Sequence, residues 1–340
     1  MELTKVVDEA GLAAWRSVLA ASLGADFVAL PAPSVADSRV LLSGPVGGEQ
    51  TDLFIAQIDG KPVVAASTRC PLHDNLTIAN LGLDVHPDHR GRGYGRVAAG
   101  GLLEIARGLG RTRVLCEVAA ATRTTSPSPG EALARSFGAH PMHAETRRLL
   151  ELDAISDSDL EPLRTASVAA SAGYSLVAWG DHTPAEYVED MAELQALMST
   201  DPPQGELDLE PENWDAARYL EREQSIIDRG RIHLSVGAVE DRSGKLIGFS
   251  DLALAKEDLP IGFQWSTIVR GEHRGHRLGM RLKLANLDEV RRQLPEVRYL
   301  NTWNADENAY IVGVNERLGY RPMESWTEWQ LDLEPESAGD

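Results

Sequence analysis

The chain of 340 residues is predicted to fold as two tandem copies of one α/β (α+β) unit. Three observations predict this. The length suits two domains of roughly 100–200 residues better than one. A long pattern occurs twice, LGLDVHPDHRGRGYGRVAAGGLLEIARGLG from Leu81 and WSTIVRGEHRGHRLGMRLKLANLDEVRRQLP from Trp265. Each copy is an apolar run, a His-Arg-Gly turn and a long helical pattern.

The two copies keep one register. His89-Arg90-Gly91 returns as His273-Arg274-Gly275, 184 residues on, and Val85/Val269 and Gly95/Gly279 share that offset. A period this long marks a duplicated domain, since solenoid repeats run to about 20–50 residues.

Upstream of each turn lie hairpins. Leu53–Gln57 and Val63–Ser67 flank Asp59-Gly60, and Leu234–Val239 and Leu246–Ser250 flank Asp241–Gly244. Downstream come apolar strands at Arg113–Val118 and Val297–Leu300. Short helices follow, ending at Gly138 and Gly319, where glycine suits a left-handed cap. Final strands are expected at Thr146–Leu152 and Trp326–Leu333. The expected domains are 1–152 and 173–334, with a linker at 153–172, whose acids, alanines and serines suit a short connecting helix, and a tail at 335–340.

Composition narrows the function. The charged fraction of 25% is that of a folded protein and argues against global disorder. No apolar run approaches the roughly 18–20 residues of a bilayer span, and MELTKVVDEAGLAAW lacks the basic-then-apolar order of a signal peptide, so a cytoplasmic protein is expected. Cys70 and Cys116 are too few for a disulfide framework or a zinc cluster, and Cys116 reads as a core residue. A net charge of -19 argues against nucleic-acid binding. It permits a cationic small substrate, although solubility alone also accounts for it.

The turn Arg90-Gly91-Arg92-Gly93-Tyr94-Gly95 follows a strand and opens a helix. Glycines allow a tight turn and close ligand approach, and free amides at a helix start attract anions. A pyrophosphate suits such a site, with Arg90, Arg92 and Arg96 as charged partners. Neither the dinucleotide fingerprint nor the Walker loop is present.

On these residues the sequence resembles the GNAT superfamily of acetyltransferases. Arg90, Gly93 and Gly95 meet its loop pattern Gln/Arg-x-x-Gly-x-Gly/Ala, and Leu83, Val85 and Pro87 meet the strand end before it. The resemblance covers both halves. Their order is similar to that of mycothiol synthase and of two-domain actinobacterial acetyltransferases, which HRGHRLG and NTWNADENAYIVGVNERLGY of the second half resemble particularly well. It implies two domains, each a mixed, mostly antiparallel sheet flanked by helices. It also implies acetyl-CoA as cofactor and direct attack of a small-molecule amine on the thioester, by a monomer or homodimer with no membrane or nucleic-acid partner.

The resemblance carries over residue by residue. Val85, His86, Pro87, Val269, Arg270 and Gly271 would hold the pantetheine arm. The amides of Arg90, Gly91, Arg92, Gly93, Tyr94, Gly95 and Arg96, and of Arg274, Gly275, His276, Arg277, Leu278, Gly279 and Met280, would hold the pyrophosphate. A strand N–H would polarise the acetyl carbonyl.

Each half departs from the family. Asn308 stands at the cofactor-binding Asn of the last helix, but Asn315 replaces the Tyr that protonates the thiolate, leaving Tyr310 or solvent for that task. In the first half those positions hold Pro127 and Ala134, within the loop-like TRTTSPSPG. Arg277 stands where the family loop is small, a strain if that position needs a positive φ.

The second half has more polar candidates, namely Gln264, Thr267, Asn301, Trp303, Asn304, Asn308 and Asn315, and is expected to work. Gln264 and Trp303 are assigned to substrate, Asn304 and Asn308 to cofactor. Asp251 and Asp258 are the candidate bases near the second strand end, with Glu257 beside them, against the alternative that all three are solvated surface acids. His89 and His273 read as loop-orienting residues, and Met198–Gly205 as a specificity loop. A non-catalytic acyl-CoA-binding or sensor module, and a protein N-acetyltransferase, are the competing functions.

Overall fold

In the computed structural model, residues 1–121, 127–257 and 259–333 are described. In chain order they form β1 (Thr4–Lys5), α1 (Glu9–Asp26), α2 (Val35–Arg39), β2 (Glu49–Ile58), β3 (Lys61–Pro71), β4 (Ile78–Val85), α3 (Tyr94–Gly108), β5 (Arg113–Ala121), α4 (Pro129–Ser136) and β6 (His140–Glu151). Then follow α5 (Asp157–Ala170), β7 (Tyr174–Trp179), α6 (Val188–Met198), α7 (Ala216–Asp228), β8 (Arg231–Glu240), β9 (Leu246–Ala255), β10 (Ile261–Val269), α8 (Leu278–Gln293), β11 (Tyr299–Ala305), α9 (Ala309–Arg317) and β12 (Arg321–Asp332).

The chain forms two compact units that no single cut separates. Among the described residues, the N-terminal unit holds those of Met1–Glu145, Gln204–Glu210 and 324–333; the C-terminal unit holds those of Thr146–Pro203 and Pro211–Met323. The final strand is the reason. From Glu324 to Asp332, β12 pairs antiparallel with β5, Glu324 opposite Ala121 and Asp332 opposite Arg113. The stretch Thr146–Glu151, expected to close the first half, instead borders β11 in the C-terminal unit.

In the N-terminal unit the strand order is β1-β2-β3-β4-β5-β12. Its ladders are antiparallel except β4–β5. Period-two alternation gives each strand two apolar faces. Leu53 and Ile55 of β2 pack on Leu12, Trp15 and Val18 of α1, while Phe54 and Ala56 pack on Ala98 and Leu102 of α3. Trp15 Nε1 donates to the Ala66 carbonyl at 2.9 Å, tying α1 to β3. The segment Gln204–Glu210 lies here because Glu210 and Asn75 exchange backbone and side-chain hydrogen bonds. Gly205 has φ 59°, and a Cβ there would collide with the Met142 carbonyl, so only glycine fits.

In the C-terminal unit the order is β7-β8-β9-β10-β11-β6, with β10–β11 parallel. Leu252, Leu254 and Leu300 pack on Met280, Leu284 and Leu287 of α8. Phe249 and Ile268 pack on Met191 and Leu194 of α6 and Tyr219 of α7. The segment expected as a linker, 153–172, holds α5. Ser156 starts that helix with a capping box to Asp159, Leu160 is 1% exposed in the core, and Arg164 pairs with Asp288 of α8. It is a core helix because its apolar positions find the α8 face.

No helix among the described residues is long and apolar enough to cross a membrane. Both cysteines are free thiols; Cys70 is buried, and Cys116 lies half-buried against Trp329.

Candidate functional site

The parallel strand pair of each unit opens into a V. β4 and β5 share a ladder only over Ile78–Asn80 and Arg113–Leu115. β10 and β11 share one only over Ile261–Phe263 and Tyr299–Asn301. Beyond Asn80 and Phe263 the strands part, and β10 carries a bulge between Gln264 and Thr267. A bulge bends the strand and re-aims its amides and side chains.

Each open strand runs into the repeated turn, and each turn into a helix. Side chains cap α1, α4, α5, α7 and α9: Asp8, Ser128, Ser156, Asp215 and Asn308 each accept from a first-turn amide. α6 starts from a 3₁₀ turn without a side-chain cap, and the starts of α3 and α8 also lack one. Their caps, Gly93 and Arg277, carry no side-chain hydrogen bond to the first turn. First-turn N–H groups there are left for an anion, which the helix dipole also favours. Gly91 and Gly275 have φ 74° and 87°, and Gly93 and Arg277 have φ 84° and 54°. Parted strands leading to uncapped amides fit an extended arm ending in a pyrophosphate.

The loop arginines are placed differently from expectation. Arg90 Nε donates to the Val85 carbonyl at 3.1 Å, and its guanidinium grips Asp26 at 2.8 Å and Ser22 Oγ at 2.8 Å. Arg274 Nε donates to the Val269 carbonyl at 3.2 Å, and its guanidinium grips Asp201 at 2.6 Å. Both therefore brace the turn, because a nearby carboxylate and a carbonyl satisfy the guanidinium fork. Arg92 donates to the Asp88 carbonyl, and Arg96 lies over the Phe137 ring. His86 Nδ1 accepts from the Asp88 N–H, Pro87 opens a short 3₁₀ turn, and His89 stacks edge-on to His86. Arg270 pairs with Glu193, Gly271 opens the equivalent turn, His273 Nδ1 bonds Tyr174 Oη at 2.9 Å, and His276 Nδ1 meets the Ala170 carbonyl. Tyr94, Leu278 and Met280 turn their side chains into the cores, so they face a ligand only through backbone.

In the C-terminal unit several expected polar residues are committed to one another. Gln264, assigned to substrate, is 5% exposed, and its amide nitrogen donates to Ser250 Oγ and the Asp251 carbonyl. Thr267 Oγ1 bonds Ser250 Oγ at 2.7 Å. This network holds the bulge, and burial demands that its members be paired. Asn301 is buried and accepts from Arg147 at 2.6 Å. Asn315 is also buried and donates to Asn304 at 2.6 Å. Asn308, expected on cofactor, caps α9 through the Ile311 N–H. Trp303 stacks on Phe263, the last β10 residue before the strands part. Tyr310 is exposed, and its ring lies beside Gly279 in the first turn of α8, where a Cβ would sit 3.5 Å from Tyr310 Oη.

Asp251 is not a surface acid. It is 1% exposed, hydrogen-bonds His233 Nε2 at 3.2 Å and the Ser266 N–H at 2.7 Å, and forms an ion pair with Arg222 at 3.6 Å. Burial would push its carboxyl up. The His233 hydrogen bond and charge, Arg222 and the Ser266 N–H outweigh burial and hold it below the usual range. A carboxyl held ionised this firmly is a weak base, so Asp251 fits an orienting role better than the proton-accepting role expected of it. His233 itself is 2% exposed, and sequence reading missed it. Its pairing with Asp251 depends on the β8–β9 register, Ser235 opposite Asp251, which no sequence signal fixes. Asp258 lies outside the described residues, and Glu257 is exposed.

The N-terminal unit carries its own carboxylates. Glu117 on β5 stands opposite Glu328 on β12. Burial raises Glu117, and burial with the Glu117 charge raises Glu328 to about 7. Asp84 accepts from Ser22 at 2.6 Å beneath the Arg90 brace, and burial raises it.

The acetyltransferase (GNAT) family matches residues 31–126. No curated protein matches the chain. Among solved structures, a tandem GNAT protein from the clavulanic acid biosynthesis pathway, solved without AcCoA, is 31% identical with a TM-score of 0.82, covering 99% of both chains. A GCN5-related N-acetyltransferase from Sphaerobacter thermophilus is 18% identical with a TM-score of 0.64, over 98% of this chain and 96% of that one. An N-myristoyltransferase from Saccharomyces cerevisiae with bound myristoyl-CoA is 12% identical with a TM-score of 0.59, over 98% and 79%. The last two show the fold alone. The twofold strand–turn–helix unit and the full-length likeness to the tandem protein lead to one conclusion: this chain belongs to the GNAT family of acetyltransferases.

Proposed function

We propose that the protein transfers an acetyl group from acetyl-CoA to the amine of a small molecule, with the C-terminal unit as the working site. The observation that carries this reading is the parting of β10 from β11 beside a bulge whose neighbours form a buried polar network. Acetyl-CoA supplies the activated thioester. The amides at the start of α8 would hold its pyrophosphate, and the edge of β10 its arm. A strand N–H past the bulge would draw charge onto the carbonyl oxygen during attack, a contribution of about 2.7–4 kcal/mol where such donors have been removed elsewhere. Tyr310, beside Gly279, is the nearest described phenol to that helix start that is exposed, and would return a proton to the departing thiolate.

A second reading has its own support. The turn at Gly91 and Gly93 meets its left-handed positions with glycine alone, whereas the other turn uses Arg277. On this reading the N-terminal unit is the tighter cofactor holder, and a module that binds acyl-CoA without turnover is the alternative. Acetyl-CoA titration calorimetry on the intact protein and on Gly93→Trp and Gly279→Trp, beside amine-dependent release of free CoA, separates them. Loss of turnover in Gly279→Trp alone supports the C-terminal unit. Loss in Gly93→Trp alone moves the working site to the other unit, and binding without release on a broad amine panel supports the module.

A further inference from the structure

We propose that His233 accepts the proton of the attacking amine in the C-terminal unit, with Asp251 as its positioning residue. This rests on the working-site reading above and adds the group that makes the amine nucleophilic.

Three observations carry it. The first is position. Asp251 Oδ1 accepts from the Ser266 N–H at 2.7 Å, so the pair is fixed to the β10 bulge just past the point where β10 and β11 part. The second is orientation. Asp251 is held ionised and has no proton to give, so His233 Nε2 is the donor across their 3.2 Å contact. In the neutral imidazole the Nδ1 atom then carries the lone pair. The third is the state of that lone pair. His233 Nδ1 is buried and has no hydrogen-bond partner. Buried polar atoms are nearly all paired, and a basic nitrogen left unmet beside a reaction site is poised to receive a proton. This is the logic by which a carboxylate fixes the tautomer of a catalytic histidine.

The charged and titratable surroundings include Lys283 of α8, whose charge interacts with that of Asp251. Arg222 on α7 lies 3.6 Å from the Asp251 carboxylate, and Tyr219 and Glu223 lie on the same helix. Asp181 accepts from the His233 backbone N–H at 3.4 Å, and Arg231 lies on the same strand as His233, over the Trp265 ring. With His233 only 2% exposed and Nδ1 buried, the proton would have to reach Nδ1 through one bridging water admitted with the substrate. The step balances. The amine nitrogen bonds to the thioester carbonyl carbon and the carbon–sulfur bond breaks. One proton leaves the nitrogen for His233, Tyr310 gives one proton to the thiolate, and His233 restores the Tyr310 proton through solvent.

The test has two parts. In protein labelled with nitrogen-15 histidine, NMR reports the tautomer without any acceptor. Nε2 protonated and Nδ1 unprotonated is expected, reversed in Asp251→Asn. A native His233 protonated at Nδ1 overturns the proposal. Release of CoA from acetyl-CoA is then followed against pH with tyramine, glucosamine, spermidine and α-amino acids. His233→Gln is expected to lower kcat about 10²–10⁴-fold. It is expected to leave acetyl-CoA affinity within about twofold and to flatten the acidic limb of the pH profile. Added imidazole is expected to restore part of the rate in His233→Ala. An unchanged acidic limb in a folded His233→Gln overturns the proposal and leaves the working site standing if Gly279→Trp is still inactive. An active Gly279→Trp, or no amine-dependent release at any pH, overturns both.

Discussion

Arg277 and Gly93 occupy equivalent places in the two repeated turns, and both backbones are left-handed, with φ of 54° and 84°. Each is the residue from which a helix of its unit begins. Glycine adopts this conformation freely, whereas a side chain costs roughly 1–2 kcal/mol there. Arg277→Gly is therefore expected to raise unfolding stability by about 1 kcal/mol, partly offset by the greater freedom of an unfolded glycine. Gly93→Ala should lower it by a similar amount. Urea denaturation of both variants checks the opposite signs, and calorimetry shows whether the relieved C-terminal turn binds acetyl-CoA more tightly.

Arg90 and Arg274 brace their turns through a carbonyl five residues back and a carboxylate on another element. The Arg90–Asp26 pair is about two-fifths exposed on each side, so its own worth to stability is small. Its effect should fall on the loop instead. Arg90→Gln is expected to leave the melting temperature within about 2 °C and to weaken acetyl-CoA binding about 3–10-fold, through entropy spent in ordering the turn. Equal affinity in the variant would show that the turn holds its shape unaided.

Glu328 faces Glu117 across the β5–β12 ladder, and burial and that charge raise it from 4.5 to about 7. A carboxyl raised on folding binds its proton more tightly in the native state. Its contribution is fully present below about pH 4.5 and is lost as pH rises to about 7. Glu328→Gln should therefore stabilise the protein at pH 8, on the order of 1–3 kcal/mol, and leave it unchanged near pH 4. Thermal melts at the two pH values read this directly.

Lys283 lies inside the C-terminal unit and lines a small cavity with Leu150, Gln264, Leu287, Leu300, Leu318 and Tyr320. Burial lowers it from 10.5 to about 7, with the Asp251 charge opposing. Here the native state binds its proton less tightly, so stability falls as pH drops from about 10.5 to about 7 and stays low below that. Lys283→Met should be more stable than the native chain at pH 6, by on the order of 2–4 kcal/mol, with the gain shrinking toward pH 10. Chemical denaturation across that range tests the sign.

Trp329 arrives on β12, is 1% exposed, and packs on Ala134, Ala139 and Cys116 of the N-terminal unit. Trp329→Ala should cost about 3–5 kcal/mol. Burial, with the charges of Glu328 and Glu117, raises the Cys116 thiol to about 11, so it should react slowly with thiol reagents at pH 8 and faster in the variant.

The repeat, the hairpins, the turns and the capped helices were legible because each is written in neighbouring residues. A period of apolar positions, a Gly at a left-handed site or a Ser three residues before a Glu acts over a few ångströms of chain. Arg277 was marked in the sequence as a strained replacement, and its φ bears that out. The β12 exchange was not legible. An apolar strand at Trp326–Leu333 fits the edge of either sheet, and which edge it takes depends on the packing of Trp329.

The same division runs through the site. The sequence by itself determined two strand–turn–helix cradles and the residues that line each turn, since backbone conformation at glycine and the dipole of a helix start are local properties. Only the tertiary structure decided that Arg90 and Arg274 face carboxylates, that Gln264 is spent on the bulge, and that His233 meets Asp251. Those contacts join residues far apart in the chain or set by strand register. Register and packing are fixed by summed burial over the whole unit rather than by any one residue's neighbours.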